Sequence, residues 1–113
     1  MTLNQYQQAA KKTAIFSNDK SLVYLLFGLC GETGEISEKF KKLMRDKNWD
    51  LNPESLDKEV KIEIAKEIGD VLWYLSILSQ ELGFEFEEIA KLNIEKLQKR
   101  FQTNKLQGSG DNR

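Results

Sequence analysis

Two stretches of this chain carry apolar residues at the 3.6-residue period of an α-helix for so long that they leave little room for another architecture. In the first, Leu22, Leu25, Leu26, Leu29, Ile36, Phe40 and Leu43 mark one face; in the second, Ile64, Ile68, Val71, Leu72, Leu75, Leu78 and Leu82 do the same. Pro53, the only proline, lies with Asn48, Asp50 and Asn52 in a segment from Asp46 to Leu56 that reads as a loop. Gly83 sits just past the second stripe, the usual place for a helix-ending glycine. The pattern predicts a first helix capped by Thr2 or Asn4 and closing near Phe16, and a second from Lys20 or Ser21 to about Arg45. A third starts from a cap at Asp57, and a fourth runs from Phe84 to Phe101. Almost nothing reads as a strand.

The fold class is therefore all-α: a four-helix bundle-like domain over residues 1–103 with two long central helices. Each of those helices, at roughly 25 residues, would span about 37 Å. Residues 104–113, including Gly108, Ser109, Gly110 and Asp111, supply no core and read as a disordered tail. A chain of 113 residues makes one domain, and helices so long leave apolar surface uncovered, which favours a dimer or tetramer.

Absences narrow the chemistry. The chain has no histidine, so imidazole-based triads and histidine-ligated zinc or di-iron sites are excluded. Its one cysteine, Cys30, can form no internal disulfide, and its place in an apolar run reads as core packing rather than as a nucleophile. A formal charge of −1 offers no general field for a nucleic-acid polymer or a membrane surface. The longest apolar stretch, Leu22 to Cys30, is far short of a membrane span. These features together predict a cytoplasmic protein.

Carboxylates stand where apolar residues are due. Glu32 falls between Leu29 and Ile36 with Glu35 three residues on, and Glu67 falls between Ile64 and Val71 with Asp70 three residues on. Two Glu-x-x-(Glu/Asp) pairs thus face inward from two neighbouring helices. Burying four carboxylates without a cation costs several kcal/mol per charge, whereas a hard divalent ion takes such oxygen ligands and shares itself with substrate phosphates. The ordinary alternative is a set of surface ion pairs to Lys39, Lys42 or Lys66. Gly28, Gly31, Gly34 and Gly69 interrupt the same helices, although each interior glycine costs about 1 kcal/mol relative to alanine. Gly34 and Gly69 would leave room for metal and phosphate; Gly28 and Gly31 fit that or close helix packing equally.

On the fourth helix Asn93, Lys96 and Arg100 share a strip, with Asn93 on the side that should face the core. An amide and two cations so spaced can hold a polyphosphate, and a solvated cationic edge is the alternative, most of all for Arg100 near the helix end. Candidates for stacking a nucleobase are Phe16, Phe27, Trp49, Trp73 and Tyr74. Tyr74 follows Asp70 by one turn and points the same way. Trp49 could close as a lid or anchor its loop.

The strings Gly31-Glu32-Thr33-Gly34-Glu35-Ile36, Lys66-Glu67-Ile68-Gly69-Asp70-Val71-Leu72-Trp73-Tyr74-Leu75 and Asn93-Ile94-Glu95-Lys96-Leu97-Gln98-Lys99-Arg100 resemble the MazG-like family of all-α nucleoside triphosphate pyrophosphohydrolases. The resemblance implies hydrolysis of a nucleoside triphosphate to the monophosphate and pyrophosphate with Mg²⁺, or Mn²⁺ in its place, on helical dimers or tetramers. It makes Glu32, Glu35, Glu67 and Asp70 the metal ligands and catalytic carboxylates, with Glu35 preferred as the base. Asn93, Lys96, Arg100, Tyr74 and Trp49 are then substrate-binding residues. Gly31 stands where many members carry a further glutamate, which leaves the number of metal ions open. Two other functions fit the pattern: a related pyrophosphatase acting on a compound such as phosphoribosyl-ATP, and a non-catalytic helical dimer that binds nucleotides or partners.

Overall fold

Reciprocal capping starts the chain: Thr2 Oγ1 accepts from the Gln5 amide at 3.1 Å while Gln5 Oε1 accepts from the Thr2 amide at 2.8 Å. The computed structural model describes residues 1–113, and in it this cap opens α1 (Leu3–Lys11), followed by α2 (Ser21–Lys47), α3 (Lys58–Glu81) and α4 (Phe86–Gln102). Short 3₁₀ turns at Asn18–Lys20 and Pro53–Ser55 precede α2 and α3, and there is no strand. The all-α architecture with two long helices is as the periodicity predicts. No helix is long and apolar enough to cross a membrane.

α1 ends earlier than Phe16. The amides of Lys12, Thr13 and Ala14 bond three residues back, and Thr13 Oγ1 donates to the Ala10 carbonyl at 2.7 Å, so the last turn tightens and stops. Asn48 closes α2 at φ 47°, and Gly83 closes α3 at φ 83°, the left-handed conformation glycine adopts freely. Asp57 occupies the position before α3, but its side chain makes no capping bond. Asn4, a candidate cap for α1, instead accepts from the Glu87 amide at 3.0 Å and so serves the start of α4.

α2 and α3 run antiparallel along a continuous seam. Ser21 Oγ donates to Glu81 Oε2 at 2.8 Å at one end, the Tyr74 ring lies on Gly28, and Lys39 pairs with Glu67 further along. α1 packs on α3, where Ala10, Leu25 and Ile77 form the buried centre with Tyr6, Phe16, Trp73, Tyr74 and Leu78 around it. α4 packs on α1 and α3 and does not touch α2. Gln7 locks this arrangement: buried in α1, it donates to the carbonyls of Ser76 (2.9 Å) and Phe84 (3.2 Å) and accepts from the Phe86 amide at 3.1 Å.

The core differs from the apolar stripe in two ways. Ser76 and Ser79 are buried, their hydroxyls returned to the carbonyls of Trp73 and Leu75, because small side chains let a neighbouring backbone approach α3. Conversely, Ile68 is 54% exposed, and Phe27, at 75%, shares the outer face of α2 with Val23 and Cys30, which is exposed rather than a core residue. The apolar run containing Cys30 has only one covered face in a protomer. Only ten of 113 residues are buried, and the radius of gyration is 17.2 Å against about 13 Å for a compact chain of this length.

Removing the Gln7 clamp leaves the Phe86 amide without a partner. Gln7→Ala is expected to cost about 2–3 kcal/mol and lower the melting temperature by roughly 10–20 °C, whereas Gln8→Ala, at an exposed neighbour, leaves it unchanged. Equal melting of the two variants would contradict the clamp.

Candidate metal centre and adjoining pocket

The seam between α2 and α3 brings the interrupting carboxylates together. One oxygen each from Glu32, Glu67 and Asp70 lie within 4.8 Å of one another. Glu32 and Glu67 are half-buried and Asp70 is exposed, so the trio forms a notch open on one side. Burial, and then the charges of Asp70, Glu67 and Glu35, push the Glu32 carboxyl above its ordinary value. Crowded carboxylates of this kind have too much negative charge for their own stability. An oxygen-seeking divalent cation fits that donor set, and Glu32, Glu67 and Asp70 are the residues that would hold it. Glu35 is exposed and outside the trio, near enough for Glu32 to feel its charge.

The alternative of surface ion pairs holds at one point only. Lys39 Nζ lies 3.1 Å from Glu67 Oε1, while Lys66 pairs with Glu63 at 2.7 Å and Lys42 with Glu38 at 3.7 Å. Glu32 and Asp70 have neither an ion pair nor a side-chain hydrogen bond.

Beside the notch opens a pocket of about 350 Å³ lined by Thr13, Tyr24, Glu32, Asp70, Trp73 and Tyr74. Phe16 stacks on Tyr24 with ring centroids 4.7 Å apart, Trp73 meets Tyr74 edge-on at 4.9 Å, and Trp73 Nε1 donates to Thr13 Oγ1 at 2.7 Å. Burial, the neighbouring Tyr24 hydroxyl and the charges of Glu32 and Asp70 raise the Tyr74 hydroxyl above its ordinary value, keeping it protonated as a donor. Aromatic faces with a few polar edges suit a planar heteroaromatic group next to the carboxylates. Tyr24 and Thr13 were not among the candidates read from the sequence. Tyr24 was detectable, because Tyr24, Gly28 and Glu32 recur every four residues on one face of α2. Nothing in the sequence marks Thr13.

The remaining candidates lie elsewhere. Trp49 stacks on Phe40 at 5.5 Å and donates Nε1 to the Asn52 carbonyl at 3.0 Å, anchoring the loop before α3. Phe27 faces outward from α2. Asn93 is exposed rather than core-facing, since α4 packs on α1 and α3 alone and α2 does not reach it. Lys96 Nζ lies 3.2 Å from Asp111 Oδ1, and the buried Arg100 donates to the same oxygen at 3.2 Å and to the carbonyls of Gly110 and Asp111. The C-terminal tail thus lies back over α4 and puts a carboxylate on both cations, and no α4 residue lines the aromatic pocket of its own protomer.

The glycines separate by surroundings. A Cβ at Gly28 would overlap the Tyr74 ring, whereas one at Gly31, Gly34 or Gly69 would meet nothing within 4 Å. Gly28→Ala is therefore expected to displace Tyr74 and destabilise by about 1–3 kcal/mol. Gly31→Ala should stabilise by up to about 1 kcal/mol. Thermal melting reads both, and a stabilising Gly28→Ala would contradict the packing described.

Comparison with known proteins gives the family. A family model described as the MazG nucleotide pyrophosphohydrolase domain matches residues 20–104, which takes in α2, α3 and α4 and every carboxylate of the notch. The chain is 38% identical to the Gene 37 protein of Mycobacterium phage L5 over an alignment of 119 residues that covers all of both chains. It is 32% identical over 74 residues to the uncharacterized protein YvdC of Bacillus subtilis (strain 168), covering 66% of this chain and 70% of that one. No solved structure matches. With that match over most of its length, and with Glu32, Glu67 and Asp70 gathered between its two long helices, the chain belongs to the MazG nucleotide pyrophosphohydrolase family.

Proposed function

We propose that this protein is a Mg²⁺-dependent nucleoside triphosphate pyrophosphohydrolase that converts a ribo- or deoxyribonucleoside triphosphate to its monophosphate and pyrophosphate. The observation that carries this is the convergence of Glu32, Glu67 and Asp70 within 4.8 Å beside an aromatic pocket. A metal bound there supplies charge neutralisation for the phosphate chain and acidifies water.

The chain's own residues do the rest. Tyr24, Trp73 and Tyr74 hold the base face-on or edge-on, and so orient the phosphate chain toward the carboxylates. Glu35, exposed and without an ion pair, takes the proton of the attacking water as the α–β anhydride bond breaks and its electron pair leaves with pyrophosphate. Lys96 and Arg100 lie away from the pocket of their own protomer, so they would contribute positive charge to the phosphates in a neighbouring copy's site, once Asp111 yields them. Clearing unwanted nucleotides or controlling a nucleotide pool are the roles such a reaction serves.

The working form is an assembly of two or four copies. The accessible surface of 8674 Å² exceeds that of a compact monomer of this mass by about 2,300 Å², the scale of an obligate interface. Phe27, Ile68, Leu92 and Phe101 supply its apolar content.

Pyrophosphate release from a panel of nucleoside triphosphates, with Mg²⁺ or with chelator, tests the proposal. Wild type should release it only with metal, and Glu67→Gln should lose activity on the order of 100-fold or more. Lys96→Ala should raise KM severalfold with the fold intact, and an unchanged KM and rate would remove Lys96 from the site. No release from any nucleotide by folded protein would overturn the proposal in favour of another pyrophosphate substrate or a binding role.

A further inference from the structure

One cation already stands against a carboxylate of the notch, and it belongs to the chain. Lys39 projects from the face of α2 that carries Glu32 seven residues earlier, and its ammonium reaches across the seam to Glu67 Oε1 at 3.1 Å. Both side chains are partly withdrawn from water, at 31% and 19% exposure, unlike the more open lysine pairs at Glu38 and Glu63. Three converging carboxylates against one ammonium keep a surplus of negative charge. The ammonium therefore offsets the charge of Glu67 without removing the site's attraction for a divalent ion.

We infer that Lys39 is the resident counter-cation of Glu67: it holds that carboxylate in place while the site is free of metal and competes with a divalent ion for it. An ammonium offers three hydrogen-bond donors and no acceptor, so it cannot share the Glu67 oxygen with a metal at bonding distance without electrostatic repulsion. When a divalent ion takes Glu67, Lys39 has somewhere to go. Glu63, one turn earlier on α3, lines with Lys39 a groove of about 310 Å³ between the ends of α2 and α3. The hydrogen bond from Lys66 and its charge hold the Glu63 carboxyl below its ordinary value, with a smaller contribution from the charge of Lys39, so Glu63 stands within the field of this ammonium. Lys39 is in this account a positioning residue, acting through Glu67.

The inference rests on Glu32, Glu67 and Asp70 binding metal, and a titration with Mn²⁺ alone separates the two claims. Mn²⁺ binding to the nucleotide-free protein is measured for wild type, Lys39→Met and Lys39→Arg, with melting in chelator alongside. Lys39→Met should bind Mn²⁺ roughly two- to fivefold more tightly than wild type, the range expected for losing a partly exposed competing pair. It should also melt lower than wild type in chelator. Lys39→Arg, which keeps a cation on Glu67, should stay close to wild type in both. A merely structural lysine would give the opposite sign, because a loosened Glu67 binds metal less well. Equal or weaker Mn²⁺ binding by Lys39→Met would overturn the inference and leave the metal centre standing. No binding by any of the three folded proteins would overturn both.

Discussion

Mutual repulsion of carboxylates held between two packed helices is the constraint on which the rest of this structure depends. Glu32, Glu67 and Asp70 face one another because α2 and α3 pair antiparallel along their whole length, and apolar contacts around Leu25 and Ile77 fix the register that aligns them. The same contacts would be better served by apolar residues at positions 32 and 67. Their acidity opposes the fold in isolation and would favour it with a cation bound, which would couple stability and ligand binding at one place. The raised Glu32 carboxyl and the Lys39–Glu67 pair are two local consequences of the same crowding.

The aromatic pocket follows from the same register. Gly28 removes a side chain from α2 where α3 presents Tyr74, and the ring drops into the gap beside Tyr24. That places flat apolar faces directly next to the acidic notch. The turn just past α1 completes the wall through Thr13, which takes the Trp73 indole hydrogen, and Gln7 ties α1 to the α3–α4 corner. A short helix that contributes no charge to the site thus sets the shape of the pocket.

Periodicity made the two long helices and the glycine stop at Gly83 legible in the sequence, because each is a local pattern with a local cause, whereas of the four carboxylates read as inward only Glu32 and Glu67 are half-buried and Glu35 and Asp70 are exposed. What needed coordinates was tertiary. The serines at 76 and 79 are core residues by virtue of their size, which a hydrophobic stripe cannot register. Cys30, read as packed, is exposed because one protomer covers only one face of α2. Asn93 is exposed for a related reason: α4 packs on α1 and α3 but not on α2, so one protomer covers only part of its surface. The tail's return to Lys96 and Arg100 rests on a contact from Asp111 across at least eleven residues of chain, which no spacing rule anticipates.

The most direct test of this account is the position of a bound ion. Crystals grown with millimolar Mn²⁺ and measured for anomalous scattering should show a peak bounded by the carboxylates of Glu32, Glu67 and Asp70, with Lys39 turned away from Glu67. A map with no peak there, and Lys39 still seated on Glu67, would contradict the claim that the crowded carboxylates exist to hold a divalent metal.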